Sequence, residues 1–162
     1  EDHPDASVVF IGPCASKKLE ASRRTVRSDV DFVITFEELA GMFEAKGLLP
    51  EAVEAHDHMN DATSAGRGYG LAGGVASAIE SCIREYYPDV EVHIEHAESL
   101  AECKKMLMLA KAGKKNGCLI EGMACPGGCV AGAGTNIPIP QAVKEVTSFK
   151  NAAEEKLPSR ED

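Results

Sequence analysis

The stretch Glu121-Gly122-Met123-Ala124-Cys125-Pro126-Gly127-Gly128-Cys129 places two thiols four positions apart across a Pro-Gly-Gly turn. A third cysteine lies far away in the chain, within Gly12-Pro13-Cys14-Ala15-Ser16-Lys17-Lys18. Both stretches follow short apolar runs, residues 8–11 and 118–120, which predict buried strands. Ligands gather at the carboxyl ends of the parallel strands in an open α/β sheet. We therefore expect Cys14, Cys125 and Cys129 to converge on one bound object.

The rest of the chain predicts an alternation of strands and helices. Apolar runs predict strands at residues 7–13, 31–35, 90–94 and 118–123. Helical spacing and end signals predict helices at residues 17–20, 35–47, 75–86, 98–113 and 140–157, with a loop at 48–66. Thr35, followed by Glu38, predicts a capping box. This order predicts a single α/β domain over residues 1–162, with about four parallel strands flanked by helices.

Length and charge exclude several classes of protein. A length of 162 residues suits one domain with its own core. The net charge of −9 argues against a nucleic-acid partner, because phosphates need a basic face. The longest apolar runs fall far short of the roughly 18 residues of a membrane span, and no signal peptide is visible. The chain starts at Glu1 rather than at Met and soon enters a strand, so we expect a piece of a longer protein.

The six cysteines divide into two groups. Disulfide scaffolds are short and loop-rich, whereas this chain predicts long helices and strands, so we expect a reduced, cytoplasmic protein that uses a few thiols as metal ligands. Cysteines on apolar helix faces or at the start of a strand are usually small core residues, and this describes Cys82, Cys103 and Cys118. The candidate metal ligands lie in loops just past strands, beside Gly or Pro: Cys14, Cys125 and Cys129.

The spacing of the thiols leaves the metal open. Zinc favours thiolates two to four residues apart and a site closed by four ligands. Iron–sulfur clusters also take four thiolates. Glycines at positions 127, 128, 132 and 134 favour a cluster, because they leave room for a bulky inorganic group and offer amide donors to its sulfurs.

Lys17 lies three positions after Cys14, and two interpretations of it stay open. Lysine is ordinarily solvated. An ammonium beside a thiolate also suits a donor to a buried anionic ligand, because a charge-assisted hydrogen bond is about twice as strong as a neutral one. The histidines carry less weight, since they lie in a polar loop or on and beside the third strand, and no role is assigned to His56, His58, His93 or His96.

Three stretches, residues 12–20, 70–75 and 121–129, resemble signatures of iron-only ([FeFe]) hydrogenases and occur in the family's order. They read Gly-Pro-Cys-Ala-Ser-Lys-Lys-Leu-Glu, Gly-Leu-Ala-Gly-Gly-Val and Glu-Gly-Met-Ala-Cys-Pro-Gly-Gly-Cys. The last is highly specific, whereas the glycine-rich stretch would be weak alone. The span from Ser7 to about Thr135 resembles the C-terminal lobe of the family's catalytic domain.

The resemblance implies an active-site H-cluster. In that cofactor a 4Fe–4S cubane is joined through a cysteine sulfur to a two-iron subcluster that carries CO, cyanide and a bridging dithiolate. By motif matching, Cys14 and Cys125 would ligate the cubane, and Cys129 would bridge the cubane to the two-iron subcluster. The implied reaction is reversible hydrogen oxidation and proton reduction.

The same resemblance implies further site residues and partners. Lys17 would donate a hydrogen bond to a cyanide, and Met123 would pack beside the two-iron subcluster. The backbone of Gly73 and Gly74 would line the pocket of that subcluster. The implied partners are a missing N-terminal lobe of the catalytic domain and a ferredoxin or another electron carrier.

Three departures separate this chain from well-studied members of the family. The Thr-Ser-Cys-Cys-Pro motif, which supplies the fourth cubane ligand and the cysteine that passes protons, does not occur in the sequence. The chain alone is therefore expected to be inactive. Gly12 replaces a methionine, and residues 131–135 read Ala-Gly-Ala-Gly-Thr in place of Asn-Gly-Gly-Gly-Gln. These variants resemble the sensory or less-characterised branches of the family.

Three other functions stay open on the sequence. A hydrogen-sensing or non-catalytic iron–sulfur relative would keep the scaffold and signal to a partner. A zinc-binding module would use the same thiols. A nucleotide binder is suggested by the Gly-x-Gly-x-x-Gly spacing at residues 68–73, but that fingerprint needs a strand directly before it, and residues 60–65 are polar.

Overall fold

The computed structural model describes residues 5–23, 25–26, 29–54 and 61–159. The chain forms two compact units. Unit 1 comprises residues 1–56 together with 132–138, and unit 2 comprises residues 57–131 together with 139–162. That residues 1–162 form one domain stays a prediction. Part of the predicted loop at 48–66, including His56 and His58, lies outside the described residues.

Unit 1 is built on two parallel strands. Its elements in chain order are strand β1 (Val9–Gly12), helix α1 (Ser16–Ser22), strand β2 (Phe32–Thr35), helix α2 (Phe36–Ala45) and a 3₁₀ turn (Pro50–Ala52). The two strands pair residue for residue, with Val9 opposite Phe32 and Gly12 opposite Thr35. Helix α1 is longer than the short turn that the sequence predicts at residues 17–20.

Helix α2 begins with the predicted capping box. The Glu38 N–H donates to Thr35 Oγ1 at 3.2 Å, and the Thr35 N–H donates to Glu38 Oε2 at 2.9 Å. These bonds satisfy amide groups that the start of a helix would otherwise leave without partners. After the helix, Gly47 has a φ of 64°, a left-handed conformation that favours glycine. The sequence therefore predicted both ends of this helix correctly.

Glu38 makes unit 1 sensitive to acid. The hydrogen bond from the Lys18 ammonium and that from the Thr35 amide lower the pKa of Glu38 from 4.5 to about 2. Because the folded pKa lies below the ordinary one, the carboxylate stabilises the fold above pH 4.5 and loses this effect as the pH falls towards 2. We expect Glu38→Gln to lower the urea midpoint of unfolding at neutral pH. Circular dichroism should show the gap to wild type closing on acidification, and a gap that is constant with pH would contradict this.

Unit 2 holds the remaining strand pair. Its elements in chain order are helix α3 (Ser64–Arg67), helix α4 (Gly74–Tyr86), strand β3 (His93–Glu98), helix α5 (Leu100–Lys111), strand β4 (Cys118–Met123), a 3₁₀ turn (Cys129–Ala131) and helix α6 (Ile139–Asn151). Strands β3 and β4 are parallel, with His93 opposite Cys118 and Glu98 opposite Met123. Both strands therefore end at the same edge, just before α5 and before the thiols of residues 125 and 129.

The prediction of about four parallel strands is confirmed only in part. A strand exists near each predicted position, and the chain is a mixed α/β protein with parallel pairing. The described residues form two separate two-stranded sheets, however, β1 with β2 and β3 with β4. Apolar runs identify strands, but they do not say which strands bond to one another.

Two elements have ends that differ from the prediction by three residues or more, strand β3 and helix α6. Strand β3 begins at His93 rather than at residue 90 and continues to Glu98, because it pairs along its whole length with β4. Helix α6 ends at Asn151 rather than near residue 157. The chain beyond it runs beside α3, where the carbonyls of Glu155 and Lys156 accept hydrogen bonds from the N–H groups of Ser64 and Ala65.

The buried residues of unit 2 are small. Ala76, Ala97, Val130, Ala142 and Ala153 are each at most 9% exposed. Side chains of this size add little bulk between elements, so the backbones of unit 2 approach one another closely. That close approach determines the geometry of the site.

Candidate functional site

Two of the sequence motifs meet within unit 2. We call residues 70–75 the glycine motif and residues 125–129 the cysteine loop. The Ala72 N–H donates to the carbonyl of Gly127 at 3.1 Å, and the Val130 N–H donates to the carbonyl of Gly70 at 3.1 Å. The first bond joins the motif to the loop, and the second joins it to the residue just after the loop. The glycine motif therefore braces the loop that carries two of the three candidate thiols.

Glycines make this contact possible. A Cβ on Gly128 would lie 2.4 Å from Ala72 N and 2.6 Å from Gly70 O, and the φ of Gly128 is 96°. A Cβ on Gly74 would lie 2.0 Å from Gly68 O. These distances are far below any real contact and involve backbone atoms, which cannot rotate away. Only glycine fits at positions 74 and 128.

The backbone amides of three glycines that suggested a cluster site, Gly127, Gly128 and Gly134, donate hydrogen bonds within the protein. The Gly127 N–H donates to Glu98 Oε2 at 2.8 Å, and the Gly128 N–H donates to the carbonyl of Cys125 at 3.0 Å. In unit 1, the Gly134 N–H donates to the carbonyl of Pro13 at 2.9 Å. That such amides serve a bound cluster stays a prediction. Their role in the structure itself is close packing and loop closure.

A carboxylate from β4 completes the start of helix α4. Gly73, the N-cap, has a φ of 76° and no side chain that could accept a hydrogen bond. Glu121 Oε1 accepts instead from the N–H groups of Val75 at 3.0 Å and Ala76 at 3.1 Å. The Glu121 side chain is only 10% exposed, and its Oε2 lies 3.4 Å from His96 Nδ1. The carboxylate therefore lies at the N-terminus of a helix, which carries a partial positive charge.

Sequence reasoning missed three residues of this site. Glu121 belongs to the motif at residues 121–129, but the sequence alone indicates no role for it, for Glu98 or for His96. A signal was available for Glu121: helix α4 has glycines where a Ser, Thr, Asp or Asn cap would stand, so an acceptor had to come from elsewhere. The position of that acceptor, on β4, follows only from the three-dimensional fold.

The predicted ligands fall in both units. Cys125 is half-buried and Cys129 is exposed, and both belong to the cysteine loop of unit 2. Cys14 follows β1 in unit 1, where its carbonyl accepts from the Lys17 N–H at 3.3 Å. All six cysteines lie in the described residues and are present as thiols. Convergence of the three candidate thiols stays a prediction.

The other predicted residues lie in helix α1, at the end of β4 and at the start of helix α4. Lys17 Nζ pairs with Glu20 at 2.8 Å, beside a small cavity of about 70 Å³ that Phe10 and Val33 also line. Met123 ends β4, is half-buried, and its carbonyl accepts from the Ser99 N–H at 2.8 Å. Gly73 and Gly74 begin helix α4 beside Glu121.

The donor set fits an iron–sulfur group. Thiolates are the usual protein ligands of such clusters, and the cysteine loop presents two of them on a backbone that the glycine motif fixes. Within neither unit do three Cys, His, Asp or Glu side chains of the described ranges gather as a metal site. Two thiols are thus fixed in one loop, and any further ligand must come from outside that loop.

The fold and site define a thiol-bearing α/β protein in which a glycine motif braces a Cys-Pro-Gly-Gly-Cys loop. Residues 1–133 match the family model described as "Iron only hydrogenase large subunit, C-terminal domain". The chain therefore belongs to this family, and the resemblance found in the sequence is confirmed.

Several curated hydrogenases are similar to this chain. The periplasmic [Fe] hydrogenase large subunit of Nitratidesulfovibrio vulgaris is 29% identical in an alignment of 169 positions, which covers 82% of this chain and 39% of the relative. Iron hydrogenase 1 of Clostridium pasteurianum is 29% identical in an alignment of 180 positions, which covers 90% of this chain and 31% of the relative. Subunit HndD of the NADP-reducing hydrogenase of Solidesulfovibrio fructosivorans is 30% identical, and the alignment covers 78% of this chain and 27% of the relative. The chain thus spans well under half the length of these relatives.

Solved structures share the fold. A variant of the [FeFe]-hydrogenase HydA1 from Chlamydomonas reinhardtii superposes with a TM-score of 0.61 at 22% identity, over 93% of this chain and 54% of that one. The structure of HydA(deltaEFG), described as revealing stepwise H-cluster assembly, gives a TM-score of 0.57 at 21% identity. These similarities show that the α/β arrangement is that of part of a hydrogenase chain.

Proposed function

We propose that this chain is the C-terminal lobe of an iron-only hydrogenase catalytic domain and holds part of an H-cluster. The observation that carries the proposal is the bracing of the cysteine loop by the glycine motif, through the Ala72–Gly127 and Val130–Gly70 hydrogen bonds. Both elements lie within the segment that matches the family. When bound, the H-cluster would supply the redox chemistry of reversible hydrogen oxidation and proton reduction.

Three thiolates would hold the iron. Cys125 and Cys14 would ligate the 4Fe–4S cubane, and Cys129 would join the cubane to the two-iron subcluster. The more exposed position of Cys129, at the end of the loop, suits a sulfur that faces a bulky partner. Gly73 and Gly74 would bring bare backbone to the subcluster. The backbone of Gly68 leaves no space for a Cβ at Gly74, and the φ of 76° at Gly73 disfavours a side chain there.

Lys17 would hold an anionic group such as a cyanide ligand. Its ammonium pairs with Glu20 in a half-exposed ion pair, with 41% and 42% of the two side chains exposed. Exposed ion pairs of this kind contribute only about 0–1 kcal/mol. Lys17 can therefore exchange Glu20 for a more buried anion at little cost. Met123, half-buried at the end of β4, would help to keep water from the pocket.

Unit 1 would present a surface for the N-terminal lobe of a hydrogenase catalytic domain. Val9, Ile11 and Phe32 lie on one face of the β1–β2 sheet and are 44%, 46% and 59% exposed. Parallel sheets are ordinarily covered on both faces. Since the curated relatives are much longer than this chain, the rest of a hydrogenase large subunit is the proposed cover. Electrons would arrive from a ferredoxin or another carrier.

The cytoplasm is the proposed location. The sequence predicts long helices and strands rather than a short, loop-rich disulfide scaffold, which suits a reducing compartment. In the part of the chain that the structure describes, no helix has the length and apolar composition to cross a membrane. One relative is named periplasmic, so the compartment differs among similar hydrogenases.

Iron loading tests the proposal. The purified chain, incubated anaerobically with iron, sulfide and a small thiol that can complete the fourth ligand position, should bind iron and sulfide together. Iron retention should fall more than about tenfold in each of Cys125→Ala, Cys129→Ala and Cys14→Ala. Loss of a group that only hydrogen-bonds to a metal ligand already costs about 10–100-fold in metal affinity. Cys82→Ala is the matched control, because Cys82 lies on helix α4 away from the loop, and it should load as the wild type does.

Four outcomes would change the assignment. Equal iron loading by Cys125→Ala and Cys82→Ala would overturn the ligand assignment. Stoichiometric zinc without iron or sulfide would favour a zinc module. Sustained hydrogen evolution by the loaded chain alone, with reduced viologen, would contradict the expectation that the lobe is inactive by itself. A sensing or non-catalytic relative would load iron equally, but it would show no turnover in the protein assembled with its N-terminal lobe.

A further inference from the structure

We infer that two carboxylates, Glu98 and Glu121, are positioning residues that hold the cysteine loop in place before any metal binds. The inference rests on the proposed function insofar as that loop carries iron ligands. Glu98 ends β3 and Glu121 lies within β4, so the two strands present both carboxylates near the edge where the loop begins. Neither residue ligates metal in the proposal.

Glu121 connects β4 to the glycine motif. Its Oε1 accepts two amides, from Val75 and Ala76, at the point where the motif becomes helix α4. Gly73 cannot cap this helix through a side chain. The carboxylate is nearly buried, so its removal would leave two helix amides without a protein acceptor and with little access to water. Glu121 therefore sets the spacing between the strand that leads into the cysteine loop and the motif that braces it.

Glu98 holds the loop directly. Its Oε2 accepts from the Gly127 N–H at 2.8 Å, and Gly127 sits in the turn with a φ of 95°. The Glu98 backbone N–H donates in turn to Glu102 Oε2 at 2.9 Å, on helix α5. Because Glu98 is exposed, this bond is weaker than those of Glu121, but it acts on the turn between the two thiols.

An independent observation concerns Ser99, which follows Glu98. Its φ of 91° and ψ of 153° lie in a region that is almost confined to glycine, and such a conformation costs about 1–3 kcal/mol. Among the described residues it is the one non-glycine with a positive φ. The Ser99 N–H is bound to the carbonyl of Met123 at 2.8 Å, and its hydroxyl accepts from the Glu102 N–H at 3.3 Å. The surrounding hydrogen bonds thus hold a strained turn next to Glu98, which binds the cysteine loop. Strained backbone of this kind clusters at functional sites.

The conservative variants separate positioning from charge. In Glu121→Gln and Glu98→Gln, the amide oxygen can accept the same N–H groups, so the loop should stay close to its wild-type state. In Glu121→Ala and Glu98→Ala, the acceptors are lost. Glu95→Ala is the matched control, because Glu95 lies on the same strand as Glu98 but pairs with Lys115.

The first measurement needs no metal. Amide hydrogen exchange by NMR should quicken about tenfold or more at Val75 and Ala76 in Glu121→Ala, and severalfold at Gly127 in Glu98→Ala. Alkylation of Cys125 should quicken in both variants, while that of Cys82 should not. The Gln variants should restore most of the protection, and Glu95→Ala should match the wild type at all of these positions.

The second measurement is iron retention by the same variants, which should fall about 10–100-fold in Glu121→Ala and less in Glu98→Ala. Unchanged exchange and alkylation in both Ala variants would overturn the inference. The same holds if the Ala variants retain iron as well as the wild type. If the wild type binds no iron while the exchange effects appear, the carboxylates still position the loop and it is the proposed function that fails. If Glu121→Ala does not fold, hydrogen exchange and alkylation in Glu98→Ala and in the Gln variants decide whether the inference holds.

Discussion

Gly74→Ala is expected to destabilise unit 2 by about 3 kcal/mol or more, at the upper end of what overpacking costs. An added Cβ would lie 2.0 Å from Gly68 O and 2.8 Å from Gly68 C. Both are main-chain atoms, so relief requires the start of helix α4 to move away from the end of helix α3. The displaced segment also carries the Gly70 carbonyl that accepts from Val130, so the contact with the cysteine loop would weaken as well.

Urea unfolding followed by circular dichroism measures this effect, with Gly66→Ala as the control. Gly66 lies in helix α3 of the same unit, and an added Cβ would approach only Thr63 Oγ1, at an ordinary 3.5 Å. Because alanine has a higher helix propensity than glycine, Gly66→Ala should be neutral or should stabilise the unit by up to about 1 kcal/mol. A loss below about 1 kcal/mol in Gly74→Ala would show that the two backbones can separate freely.

The features that the sequence predicted well depend on neighbouring residues. Thr35 and Glu38 cap helix α2 from three positions apart, and the apolar runs that predict β1, β2 and β4 need no distant partner. The cysteine loop was also found, since its two thiols and the turn between them are contiguous in the chain. For these features, spacing along the chain is the physical cause of the structure.

The features that the sequence did not predict depend on distant partners. Strand β3 takes its ends from its pairing with β4, not from its own apolar pattern, which suggested residues 90–94. Glu121 reaches amides at Val75 and Ala76, far back in the chain, and no local pattern encodes that bond. The need for glycine at position 128 also depends on a distant partner, because the backbone of Ala72 lies against it.

Gly128→Ala is expected to have the largest effect, because two penalties act at one residue. The φ of 96° disfavours any side chain, and a left-handed conformation costs a non-glycine residue about 1–2 kcal/mol. An added Cβ would also lie 2.4 Å from Ala72 N and 2.6 Å from Gly70 O. The overlap should add about 1–3 kcal/mol or more. It would also break the bracing of the cysteine loop, so iron retention should fall together with stability.

Gly117→Ala separates the two penalties. Gly117 has a φ of 77° and no atom within 4 Å of an added Cβ, so it carries the conformational cost without the overlap. It directly precedes β4 in the same unit, so it lies at the opposite end of that strand from the cysteine loop. We expect it to lose about 1–2 kcal/mol in urea unfolding and to retain iron normally. Similar losses of stability in the two variants would contradict the close packing of the glycine motif on the loop. Normal iron retention in Gly128→Ala would show that this packing is not what positions the thiols.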